Sequence, residues 1–299
     1  MKPPKNPFRI SFDVYTRLRN IFRKHGWPIR VEGRHTDIFN NYGRLLERLN
    51  HQHQELILFL TEDFLHCPIE HYAKTLIRAL NRIERTKIDA FEKIFVLPLV
   101  PIEDFGMSKS AHFMSYLCRT EVVPKIAHLR VKKPNVYQDI RDFNRLESGR
   151  HGSLLLFLDD FIGTGKTACK ALDDYRNENY IKGDDAVIVT ALVAQEQGIK
   201  AIEDLGYEVF TSHVKSRGIS DSPRFPHGTF TDATATLQIM SILEDHLGYR
   251  ESSHLRFGYK RSEALVAMMN TPDNTFPVFW SNRSVDGRKW PAPFPRVED

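Results

Sequence analysis

The chain has 299 residues, 41% of them hydrophobic and 27% charged, the balance of a soluble globular protein long enough for one large domain or two small ones. No apolar run approaches the roughly 18 residues of a membrane span, and the basic start MKPPKNPFRI lacks the apolar stretch of a signal peptide, so the expected setting is the cytoplasm with no membrane partner. Cys67, Cys118 and Cys169 stand too far apart for a CxxC metal or redox motif, and an odd, sparse count suits a reducing compartment.

The net charge of +4 is unevenly spread. Residues 1–35 carry Lys2, Lys5, Arg9, Arg17, Arg19, Arg23, Lys24, Arg30 and Arg34 against Asp13 and Glu32, a local net of +7 that leaves the rest of the chain at −3. A basic segment on a slightly acidic body suggests an anionic partner, nucleic acid or the phosphates of a ligand. A helix with a solvated basic face explains it equally well.

In chain order, Ser11 can cap a helix with Val14, Leu18, Ile21 and Phe22 on one face, ended by Gly26 and Pro28. A second helix opens at Thr36-Asp37, carries Ile38, Tyr42, Leu45, Leu46 and Leu49, and is expected to run on through Ile57 and Phe64. His51-Gln52-His53 reads as a solvated helix face, because no third metal ligand is spaced nearby. Pro68 can begin the next helix, with Tyr72, Leu76, Leu80 and Ile83 as its apolar face. From about Lys93 the pattern alternates. Strands are predicted at Ile94–Val100, His128–Val131, Leu154–Leu158, Ala186–Ala194 and Glu208–Val214. Helices are predicted at Ser110–Cys118, Thr167–Tyr175 and Gln197–Leu205, the last closed by Gly206. Connections of this length predict a parallel sheet. The expected division is therefore a helical region at 1–90 and an α/β domain at 91–299.

The stretch LLLFLDDFIGTGKT, Leu154 to Thr167, is the richest in chemistry. Five apolar residues without alternation describe a strand buried on both faces. Asp159 and Asp160 cannot both stay buried and charged without partners, so they belong at the strand end. Gly163 and Gly165 let the backbone approach a ligand. Thr164 and Thr167 add hydroxyls, and a helix starting near Lys166 aims its N-terminal N–H groups at the turn, which favours a phosphate. A Walker A loop is a poor reading: Gly165-Lys166-Thr167 supplies its end, but the first glycine it requires falls on Asp160.

The same stretch resembles the phosphoribosyl pyrophosphate (PRPP) signature of type I phosphoribosyltransferases: an apolar strand, two acids, a few residues, then Thr-Gly-x-Thr. The resemblance implies a type I phosphoribosyltransferase-like parallel sheet flanked by helices. It also implies that Asp159 and Asp160 hold the ribose hydroxyls, that Gly163, Thr164, Gly165, Lys166 and Thr167 wrap the 5′-phosphate, and that Mg²⁺ accompanies PRPP. The family takes pyrophosphate on the loop after its first strand. Here that places Ser108, Lys109 and Ser110, between Gly106 and the next helix, on the leaving group. A homodimer is a further family expectation.

Residues 270–296 hold five prolines with Phe276, Phe279, Trp280, Trp290 and Phe294, too interrupted for a long helix and too aromatic for a disordered tail. An ordered hood at 250–299 is expected, with Tyr259, Asn274, Phe276 and Trp280 as candidates to stack on and hydrogen-bond a nucleobase or other nitrogen acceptor. The run Gly258 to Trp280, closing at WPAPFPR, resembles a narrower group of phosphoribosyltransferase-like proteins from bacterial conflict and anti-phage systems, including retron operons. That resemblance implies a defence setting. It also implies an alternative to transfer: an effector or sensor that binds or cleaves a nucleotide or nucleic acid and docks on a ribonucleoprotein through residues 1–35.

Overall fold

The computed structural model describes residues 6–29, 37–107, 109–225, 230–282 and 284–297. By packing, the chain divides into two units, Met1–His66 with Ser216–Asp299, and Cys67–Lys215. The pattern change near Lys93 marks where strands and helices begin to alternate, whereas packing assigns the chain to the sheet unit from Cys67 onward.

The first unit begins with helices. α1 (Phe12–His25) starts where Ser11 Oγ accepts the Val14 N–H at 3.2 Å and stops at Gly26, which takes φ 68°. Its buried face carries the predicted Val14, Leu18, Ile21 and Phe22. α2 (Ile38–Glu47) is capped by Asp37. The helix does not run on toward Phe64 as the spacing predicts. Asn50 breaks it, because its side chain accepts the His53 N–H at 2.9 Å and caps a new helix, α3 (His51–Thr61). A two-residue strand, β1 (Leu65–His66), ends this part of the unit.

The second unit is an α/β layer structure. α4 (Ile69–Leu80) follows Pro68, and α5 (Arg85–Asp89) leads into β2 (Ile94–Pro98). Next come α6 (Ser110–Leu117), α7 (Ala127–Lys132), β3 (Asn135–Val136) and α8 (Ile140–Leu146). The unit then alternates through β4 (Leu154–Ile162), α9 (Lys166–Asn177), β5 (Ala186–Gln195), α10 (Glu196–Glu203) and β6 (Glu208–Lys215). The strand predicted at His128–Val131 is instead α7. Leu129 is buried but Val131 is 77% exposed, so the alternation there does not mark a sheet face, and the strand lies a few residues later at β3.

All five strands are parallel, in the order β3-β2-β4-β5-β6. Counted from β2, this is a 2-1-3-4-5 sheet. Its switch point, where such sheets bind ligands beyond the carboxyl ends, falls between β2 and β4. α8, α9 and α10 cover one face through Phe143, Leu172, Tyr175 and Ile202. α4 lies against β5 and β6, and α6 against β2 and β4. At the amino ends of β4 and β5, Arg150 and Asp185 form a fully buried ion pair at 2.9 Å, with the guanidinium over the Phe143 ring. Removing one partner would strand the other charge.

The remainder of the first unit contains α11 (Ala233–Asp245) and β7 (Val266–Ala267), which pairs in parallel with β1. The aromatic tail is ordered, and it supplies core. Phe276, Phe279, Trp280, Trp290 and Phe294 are all buried, and Phe294 stacks on Phe64 at 4.8 Å. No helix among the described residues is long and apolar enough to cross a membrane.

Candidate active site

The acid pair sits inside β4, not after it. β4 keeps β5 as a neighbour through Ile162, but on its other side β2 ends at Pro98, opposite Leu158. Asp159 and Asp160 are therefore the first residues of β4 past the end of β2, on the open side of the switch point. Two helices close on them. From α6, Ser110 Oγ donates to Asp160 Oδ1 at 2.7 Å and lies 3.3 Å from Asp159 Oδ1. From α4, Tyr72 Oη donates to Asp160 Oδ2 at 2.9 Å. The Asp160 N–H donates to Asp159 Oδ1 at 2.8 Å.

These contacts divide the pair. Asp160 has a partner on each oxygen. Burial, followed by the charge of Asp160, pushes the Asp159 carboxyl well above the ordinary carboxylate range, against the pull of the Asp160 N–H and the Ser110 hydroxyl. Asp159 is thus the member that gains or loses a proton as a cation or a hydroxyl-rich ligand arrives.

The turn that follows is held open by glycines. Gly165 takes φ 78° as the N-cap of α9 and offers no side chain to cap the first-turn N–H groups. Behind the turn lies Gly198 of α10. A Cβ there would stand 2.3 Å from Gly163 O and 2.8 Å from Ile162 Cγ2. Gly163 is buried, Thr164 is half-buried, and Lys166 and Thr167 are exposed.

The other expected site residues fall differently. Ser108 lies outside the described residues. Lys109 precedes α6, with its ammonium 3.2 Å from Asp104. Ser110, expected on pyrophosphate, is turned onto the acid pair. The hood candidates all belong to the first unit, and the acids to the second. Phe276 is 0% exposed, and Trp280 is buried with its indole N–H donating to Thr275 O at 2.6 Å. Asn274 is buried and donates to Ser262 Oγ at 3.2 Å, and Tyr259 is half-buried. Phe276 and Trp280 are packing groups without an open face. Among the described residues no group of three or more His, Cys, Asp or Glu is arranged to hold a metal.

Tyr72 and Gly198 carry no motif. Tyr72 reads as one apolar position of a helix, and its only signal is that a buried tyrosine hydroxyl needs a partner.

A family model described as PRTase-CE matches residues 43–296. The chain belongs to that family. It is a phosphoribosyltransferase-like protein, and the PRTase-CE match spans both units. Among solved structures, it is similar to orotate phosphoribosyltransferase from Aeropyrum pernix, at 15% identity and a TM-score of 0.30, over 48% of this chain and 71% of that one. It is also similar to the AQ2163 protein from Aquifex aeolicus, at 17% identity and a TM-score of 0.28, over 62% and 86% of the two chains. None of the curated proteins matches it.

Proposed function

We propose that this PRTase-CE protein binds PRPP at Asp159 and Asp160 and transfers its phosphoribosyl group to a nitrogen nucleophile. One observation carries the reading: a hydrogen-bonded acid pair at the switch point runs directly into a glycine turn at the start of α9. Carboxylates accept the two ribose hydroxyls. The turn at 163–167 receives the 5′-phosphate on backbone N–H groups and threonine hydroxyls. The acceptor nitrogen forms a bond to the anomeric carbon as the bond to pyrophosphate breaks, and the acceptor's proton leaves to solvent or to the pyrophosphate.

The sugar becomes cationic at the transition state, and two nearby carboxylates stabilise it electrostatically. Ser110 and Tyr72 fix the Asp160 rotamer before substrate arrives, so little reorganisation is left for the reaction. Mg²⁺ fits as a partner of the substrate rather than a resident of a protein cage, since magnesium keeps waters and uses one or two carboxylates with substrate phosphates. Asp159 and Asp160 are the protein groups available to it, and the chemistry it supplies is neutralisation of the leaving pyrophosphate.

The setting we propose is bacterial defence, supported by the resemblance of the Gly258–Trp280 segment. A second reading keeps the fold and replaces transfer with nucleotide binding or cleavage on a ribonucleoprotein partner. It is favoured by Arg9, Arg23 and Lys24, which stay exposed while Arg17 is occupied by Glu55 and Glu62. Lys2, Lys5, Arg30 and Arg34 lie outside the described residues.

The test of the main reading is calorimetric titration with PRPP, with and without Mg²⁺, of the wild type and of Asp159→Asn with Asp160→Asn. Mg²⁺-dependent binding lost in the folded double variant supports it. Unchanged binding in that variant refutes the site.

A further inference from the structure

A cavity of about 290 Å³ in the first unit lies between one face of α2 and the proline-rich tail. Asn41, Arg44 and Arg48 line it from the helix side, at the i, i+3, i+7 spacing of a single face. Lys289, Trp290 and Pro291 are among the tail residues opposite. Arg48 ties the two sides together, donating to Lys289 O at 2.6 Å.

The polar groups here are not consumed by the fold. Asn41 is only 7% exposed, and its side-chain amide makes no hydrogen bond among the described residues, so its donor and acceptor are available to whatever enters the cavity. Arg44 and Lys289 are exposed, and neither side chain makes an ion pair among the described residues. Two carboxylates are close by. Glu47, also on the wall, accepts the Arg9 N–H at 2.6 Å, and Asp286 is held by Ser284 and Arg288. The balance on the wall is three cations against Glu47, over a floor that carries a buried amide and an apolar tail surface.

We infer that this cavity binds a phosphate monoester bearing a hydrogen-bonding ring, the chemistry shared by a free nucleoside monophosphate and the 5′-phosphorylated end of a nucleic acid. Arg44 and Lys289 take the phosphate, which guanidinium and ammonium groups bind through charge-assisted hydrogen bonds. Asn41 presents a donor and an acceptor side by side, the arrangement that reads a base edge. Pro291 and Ala292 form the apolar wall beside the ring. The volume is at the small end of ligand pockets, which run from roughly 300 to 1,000 Å³, and so limits the bound part to about one nucleotide. This site is independent of the acid pair.

The experiment is calorimetric titration of the full chain with adenosine 5′-monophosphate, inorganic phosphate and a 5′-phosphorylated dinucleotide. It is done in a Thr164→Asp background, whose added carboxylate keeps phosphate off the turn after β4. The expected result is one adenosine monophosphate site, weakened roughly tenfold or more by Arg44→Ala with Lys289→Ala, whose melting should match the parent because both side chains are exposed and unpaired. Asn41→Leu should weaken adenosine monophosphate and leave inorganic phosphate unaffected. Tighter binding of the dinucleotide identifies a nucleic-acid end as the source, and equal or weaker binding identifies a free nucleotide. No adenosine monophosphate binding, binding unchanged by the Arg44/Lys289 substitutions, or inorganic phosphate binding as tightly as the nucleotide would each overturn the inference.

Discussion

Two segments depart from ordinary backbone or polar patterning, and they put that departure to opposite use. The turn at 162–167 needs one left-handed residue, Gly165, whose place at the start of α9 puts no capping side chain on the first-turn N–H groups. The segment at 257–263 holds Phe257, Lys260, Arg261 and Glu263 at φ between 50° and 59°, a conformation costly for non-glycine residues, yet it closes its polar groups internally. Glu263 N–H donates to Phe257 O at 2.8 Å, Lys260 N–H to His254 O at 2.9 Å, and the Glu263 carboxylate accepts the Ile219 and Ser220 N–H groups. Strain therefore marks a structural knot here, and the candidate site is the relaxed region. The lesson is that unusual φ alone does not locate chemistry.

The largest effect is expected in the knot. Gly258 sits at φ 79°, ψ 162°, a region essentially reserved for glycine, and a Cβ there would lie 1.9 Å from Asn274 O. Gly258→Ala should lower the unfolding free energy by about 3 kcal/mol or more, read from denaturant midpoints. A loss under 1 kcal/mol would mean that the knot yields easily and that its strain is not structurally held.

Next is Glu244, fully buried on α11, which accepts the Phe257 N–H and whose carboxyl is pushed up to about 8 by burial. A raised carboxylate binds more protons folded than unfolded. Its folded form is therefore favoured below the ordinary pKa near 4.5 and loses stability as pH rises toward 8. Glu244→Gln should abolish that slope, on the order of a few kcal/mol between pH 5 and 8. Parallel stability–pH curves for wild type and variant would contradict it.

The turn should respond in both stability and ligand binding. Gly198→Ala pushes a methyl into the Gly163 carbonyl and Ile162, and a lowered melting temperature is expected together with a roughly tenfold or greater loss of PRPP affinity in the protein that remains folded. Equal affinity would show that the turn does not hold the phosphate. Smallest is Tyr72→Phe, which removes one donor from Asp160. The cost should be about 0.5–1 kcal/mol in PRPP binding or stability, accompanied by a shift in the Asp159 titration followed by NMR. An unmoved titration would detach Tyr72 from the pair.

Legibility followed how local each signal is. β4, the start of α9 and the acid pair could be read because five apolar residues, two acids and two glycines are contiguous. That the acids lie within the strand could not be read, since it depends on where β2 stops. At α7 the sequence suggests a strand, because Leu129 and Val131 mimic a period of two. Tyr72 lies 88 residues from Asp160, and no local pattern links them. The tail's composition foretold order but not direction, since aromatics and prolines serve a core as readily as a hood.

The most direct measurement is a crystal structure of the protein with PRPP and Mg²⁺. The account predicts ribose hydroxyls on Asp159 and Asp160, the 5′-phosphate within 163–167, and Ser110 and Tyr72 still on Asp160. PRPP bound elsewhere, or acids left facing only Ser110 and Tyr72 at saturating ligand, would contradict it.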